Sequence, residues 1–95
     1  MSAPKRIDGA NLQLLNVLTD EHNPTGFTTH YAEGFEFLDR LAICKYEQDP
    51  GYYLFYCDSK WEVLNDTYHD SKEIAIKQAE LEFRGTEETW FKEET

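Results

Sequence analysis

Basic residues are scarce in this chain: 9 Lys and Arg stand against 19 Asp and Glu, a formal net charge of −10. Such a field repels phosphate backbones and anionic lipid headgroups, so nucleic acid and membrane surfaces are disfavoured as partners. A cationic partner would be drawn in, at a rate that salt lowers. Acidity also serves solubility by itself. Long apolar runs are missing too. Nothing approaches the roughly 20 apolar residues of a membrane helix, and the run after Lys5-Arg6 is broken by Asn11, Gln13 and Asn16, so no signal peptide is expected. Cysteine is limited to Cys44 and Cys57, both inside apolar strand patterns. Two free, buried thiols in a reducing cytoplasm are the expectation, with a bridge between neighbouring strands as the alternative. There is no GxGxxG, Walker-type loop, CxxC or HExxH, so no cofactor or metal is expected. The aromatics do not interleave with Arg or Lys as on an RNA platform.

What is present is enough apolar material for one domain: 40% apolar residues, with six Tyr, six Phe and two Trp among 95 residues. The chain divides into a flexible N-terminus (1–8), a single α+β domain (9–85) and an acidic aromatic tail (86–95). ANLQLLNVLTD places Leu14, Leu15 and Leu18 on one helical face and predicts a short N-terminal helix from Gly9 to about Asp20, although Leu12 and Val17 fall off that stripe. EHNPTG is a loop, and FTTHY (27–31) a short edge strand. LAICKY reads as a strand, QDPG as a type II turn, and Tyr52–Cys57 as the next strand. After Asp58-Ser59-Lys60, WEVLNDTY returns. Asp70 or Ser71 caps a helix over 71–84, with Glu73 placed as in a capping box and Gly85 as its stop. The expected fold is therefore α+β: an antiparallel three- to four-stranded β-meander packed against one main C-terminal helix, with a short N-terminal helix.

The strand YYLFYC carries most of the information. Side chains alternate across a strand, so Tyr52, Leu54 and Tyr56 face one way and Tyr53, Phe55 and Cys57 the other. Neither set is polar, so both faces must be covered. Ala75, Ala79, Ile76 and Phe83 form the helix face that docks on one side. The N-terminal leucines, the tail through Trp90 and Phe91, or a second molecule could cover the other. Ile74 and Leu81 align on the helix face turned away from the sheet.

Two constellations could carry chemistry. His69 with Asp66 and Asp70 could bind metal or act as an acid/base pair, and Cys57 beside Asp58 could be a nucleophile. Neither has a companion motif, and an acidic strand end is a poor setting for a thiolate. Catalysis is therefore the third reading. Protein binding is preferred, through Glu33, Phe35, Glu36 and Asp39 in the loop (with Phe37 beside them), Ile74 and Leu81 on the helix, and Glu87, Glu88, Trp90 and Phe91 in the tail. Aromatics supply affinity in such mixtures and carboxylates supply steering. The partner would be a basic protein, or else a second copy in a homodimer.

The segment from Tyr53 to Trp90, with LFYCDSKW, DTYHDS and QAELEFRG, resembles a recurring segment of small bacterial α+β proteins that carry no assigned activity. Size and acidity also look like those of small immunity or inhibitor proteins that neutralise cationic toxins. That likeness of class implies a non-catalytic, cytoplasmic binding module.

Overall fold

A computed structural model describes residues 3–92; the first two residues of the N-terminal segment and the last three of the tail lie outside them. Seven strands and one α-helix follow in the order β1 Arg6–Ile7, β2 Ala10–Val17, β3 Asn23–Pro24, β4 Arg40–Lys45, β5 Tyr52–Cys57, β6 Val63–His69, α1 Lys72–Glu82 and β7 Phe83–Arg84. Five of them form one antiparallel sheet, β1-β2-β4-β5-β6, curved into a half-barrel, and β3 pairs with β7 in a separate ribbon.

The expected three- to four-stranded meander with an N-terminal helix is thus replaced by a five-stranded sheet, and the segment read as that helix is strand β2. Two local features explain the difference. Asp8 and Gly9 both take positive φ (52° and 81°) between the paired residues Ile7 and Ala10, which makes a two-residue hairpin turn of the I′ kind. The pairing of β2 with β4 then slips between Leu12 and Leu14. One extra residue in a strand turns the following side chains to the other face. Leu12, Leu14 and Leu15 therefore break strict alternation, and Leu14, Leu15 and Leu18 imitate a helical stripe.

Other boundaries moved for similar reasons. FTTHY is irregular backbone, not an edge strand. The turn between β4 and β5 tightens at Glu47–Gln48, and Gly51 does not have the positive φ that a type II turn needs. Gly51 serves close approach instead: a Cβ there would lie 2.1 Å from the Tyr68 hydroxyl. Trp61 takes φ 67°, ahead of β6, and a second slip opposite Tyr56/Cys57 sets Val63 against Cys57 and Asn65 against Tyr56. Trp61 and Val63 consequently share a face with Cys57, while Asn65 and Thr67 share the helix-side face.

Helix α1 starts at Ser71, whose hydroxyl accepts from the Ile74 amide at 3.2 Å. It ends at Glu82, two residues short of the expected end at Arg84, because Phe83 and Arg84 turn extended to pair with β3. Ala75 and Ala79 are fully buried against Leu41, Ile43, Leu54 and Tyr56, where small side chains let helix and sheet approach closely.

The interior strand β5 has no wet side: Leu54, Phe55, Tyr56 and Cys57 are all buried. Opposite the helix, Ala42, Cys44, Phe55 and Cys57 pack with Ile7 and Ala10, and Leu12, Tyr46, Tyr53, Trp61 and Val63 close the margins. The Arg40 guanidinium lies 4.9 Å from the Trp61 ring centroid. The second face is therefore covered by the N-terminal hairpin and the curl of the sheet. Trp90 packs on the helix side, and Phe91 forms a backbone bridge to Leu15 at 2.9 and 3.1 Å.

Candidate functional site

A buried carboxylate organises the helix-side face. Glu82 closes α1, where the partial negative charge of the helix end opposes an acid, and its side chain is 2% exposed. Three donors compensate. The Tyr56 hydroxyl donates to Oε2 at 2.5 Å, the Gln78 amide to Oε2 at 2.7 Å, and His30 Nε2 to Oε1 at 2.5 Å. Hydrogen bonds to an ionised acceptor are the strong ones, which is how a dry carboxylate is tolerated. Gln78 comes from the helix turn before Glu82, Tyr56 from β5, and His30 from the segment 25–39 that joins β3 to β4.

The tautomer of His30 follows from its neighbours. The Asn65 amide nitrogen lies 2.8 Å from Nδ1, so Nδ1 accepts and Nε2 carries the proton given to Glu82. The ring stacks on Phe35 at 4.3 Å with planes 11° apart, and tilts against Tyr56 at 4.5 Å. On the same face of the sheet, the Thr67 hydroxyl bonds His69 Nε2 at 2.7 Å. Burial first, and then the bond to Glu82, push the Tyr56 phenol far above its ordinary value, so it stays a donor. Burial lowers the His69 pKa, against a smaller upward pull from Glu82 and Asp70.

Above this network the 25–39 segment turns aromatic side chains outward. Tyr31 is 92% exposed, Phe37 66% and Phe27 61%. Exposed carboxylates Glu33 and Glu36 stand between them in the chain. Phe35–Phe37 make a short 3₁₀ turn after Gly34, which takes φ 83° and packs against Leu64. Phe27 also forms a groove of about 290 Å³ with Thr25, Gly26, Glu80, Leu81 and Arg84.

The expected binding residues fall in different places. Glu33 and Glu36 are exposed beside the outward aromatics. Phe35 is half-buried and belongs to the packing around His30. Asp39 is half-buried and pairs with Arg40 at 3.0 Å. Ile74 and Leu81 are both about half exposed, yet of the two only Leu81 lines the groove with Phe27. Glu87 is exposed and pairs with Lys77, and Glu88 is exposed in the 3₁₀ turn Thr86–Glu88. Trp90 is half-buried against the core, and Phe91 is partly exposed beside β2. Sequence reasoning missed Phe27, Tyr31, His30 and Glu82. The first three lie in FTTHY, read as a short edge strand, and Glu82 in a helix read for its apolar faces and its caps.

The alternative chemistry finds little support in the geometry. Asp66 pairs with Phe55 on the face away from the helix, whereas His69 pairs with Tyr52 on the helix side. Among the described residues no group of three or more His, Cys, Asp or Glu is placed to hold a metal. Cys44 and Cys57 are free and fully buried, with pKa values pushed up to about 12, chiefly by burial. A thiol held protonated is a poor nucleophile. His22 is taken up structurally: Thr19 N–H donates to Nδ1 (3.0 Å), so Nε2 donates to the Thr89 hydroxyl (2.8 Å), which donates to Asn16 Oδ1 (2.9 Å). Asn16 in turn donates to the Thr86 carbonyl at 3.0 Å, fastening the C-terminal turn to β2. Among the described residues, no helix is long and apolar enough to cross a membrane. No protein family, curated protein or solved structure matches the chain.

Proposed function

We propose that the chain is a non-catalytic protein-binding module, of the inhibitor or immunity kind, that captures a cationic protein on the 25–39 segment. The observation that carries this reading is the trio Phe27, Tyr31 and Phe37, held more than half exposed beside Glu33 and Glu36. Exposing three large aromatics on one short segment costs solubility unless something covers them. Burying each contributes roughly 1.5–3 kcal/mol, set against the cost of association. A net charge of −10 selects the partner's sign. The two free thiols fit a reducing compartment, which points to the cytoplasm.

Selection from a random peptide-display library against the wild-type chain tests this reading. The expected ligands are basic, bind at least tenfold more weakly to the Phe27→Ser/Tyr31→Ser/Phe37→Ser variant, and weaken as NaCl rises from about 50 to 500 mM. Neutral ligands, or ligands indifferent to the triple substitution, would reject it. Concentration-dependent mass in sedimentation, lost on Leu81→Arg, would assign the surface to self-association instead.

A further inference from the structure

The segment 25–39 is attached to the body in an unusual way. Its ends are fixed by the main chain: Thr25 N–H donates to the Glu82 carbonyl at 3.0 Å and Asp39 N–H to the Cys57 carbonyl at 2.9 Å. Between them, the backbone bonds among the described residues stay inside the segment, from Phe35 to Ala32, Phe37 to Gly34 and Leu38 to Phe35. Among the described residues, its polar side-chain hold on the domain between those ends is His30, whose neighbours Thr29 and Tyr31 are exposed while its own side chain is 5% exposed.

The place His30 fills has its own form. One edge of the ring meets the Glu82 carboxylate, another meets Asn65, and the Phe35 and Tyr56 rings line its faces. The carboxylate does not depend on His30 alone, because Tyr56 and Gln78 donate to its other oxygen. A flat, aromatic-lined slot over a carboxylate takes a guanidinium as well as an imidazole once the Asn65 amide turns to present its oxygen, because a guanidinium donates at every edge and cannot accept. We propose that the Glu82 slot is a recognition site for an arginine side chain of the cationic partner, which the free chain fills with its own His30, so that residues 26–33 act as a displaceable strap while Phe35, packed on the core, stays as a wall of the slot. This rests on the binding function proposed above and names what the partner inserts.

His30→Gly empties the slot, and small probes then report on it. Imidazole and methylguanidinium should each raise the melting temperature of this variant saturably, with dissociation constants of roughly millimolar order for ligands so small. Furan, the same ring size with no donor, should not. Adding Glu82→Gln should weaken both probes at least tenfold. Absence of saturable binding to folded His30→Gly, or equal effects of furan, would overturn the proposal. Should His30→Gly not fold, hydrogen exchange on the wild type decides. Methylguanidinium at roughly a hundredfold that dissociation constant, enough to compete with the tethered His30, should, against NaCl of equal ionic strength, speed exchange of amides 26–33 and leave those of β4 and β5 unchanged; no selective effect rejects the slot. Basic peptides that still need Phe27, Tyr31 and Phe37 while the slot binds nothing would sink this inference alone. Peptides indifferent to those aromatics would sink the binding function itself.

Discussion

Replacing Tyr56 by Phe removes one oxygen from the most buried aromatic of the sheet and leaves its ring in place. That oxygen donates to Glu82 Oε2 at 2.5 Å inside a site with almost no solvent access. A hydrogen bond to a charged group contributes about 1.5–3 kcal/mol. No cavity is opened, and Glu82 keeps Gln78 and His30 as donors, so the expected loss lies near the middle of that range, about 2 kcal/mol. For a domain of this length each kcal/mol moves the melting temperature by about 4–8 °C, which gives a fall of roughly 8–16 °C. Urea unfolding followed by tryptophan fluorescence should show a lower midpoint with an unchanged slope. A double-mutant cycle with Glu82→Gln should return a coupling of at least about 1 kcal/mol. A loss below about 0.5 kcal/mol, or strict additivity in the cycle, would refute the reasoning, because the phenol would then not be holding a buried carboxylate.

Two further outcomes follow from particular residues. Burial lowers the folded-state pKa of His69 below its ordinary 6.5, so between those two values the unfolded chain binds more protons than the folded one. Stability therefore rises with pH through that window and is lost on acidification below about 6.5. In His69→Gln this component is gone, and the wild type's stability relative to that variant should decline from pH 7.5 to 5.5 in paired denaturation curves; a flat difference would contradict the burial. Gly51→Ala drives a Cβ into the Tyr68 ring and breaks the 2.7 Å bond from the Tyr68 hydroxyl to Asp49. It should cost about 1–3 kcal/mol in urea unfolding, most of it recovered in the Gly51→Ala/Tyr68→Ala double variant, and no recovery would mean that the constraint lies in the backbone.

The parts of the fold legible in the sequence are those where local pattern and tertiary packing agree. Tyr52–Cys57 has no polar spacer on either face, and it is the strand whose two sides are both covered. The Ala75/Ala79 face of the helix and its Ser71 cap likewise follow from composition and spacing. The N-terminal region is misread because a bulge at Gln13 disrupts the period of two, and because the hairpin signal Asp8-Gly9 is split between the flexible N-terminus (1–8) and the expected helix from Gly9. The site was less accessible still. Glu33 and Glu36 could be picked out by charge, but Glu82 is an unremarkable acid in a run of helix formers until the fold sets Tyr56, Gln78 and His30 around it. His30 and Glu82 are 52 residues apart, and no local pattern announces a contact of that range.

Whether the outward aromatics are the working surface is tested most directly by site-directed photocrosslinking in living cells. A photoreactive phenylalanine analogue would be placed singly at Phe27, Tyr31 and Phe37, with Glu47 in the β4–β5 turn as the exposed control. The account predicts one adduct, to a basic protein, from all three loop positions and none from position 47. Adducts of equal yield from the control position, or adducts only between copies of this chain, would contradict it.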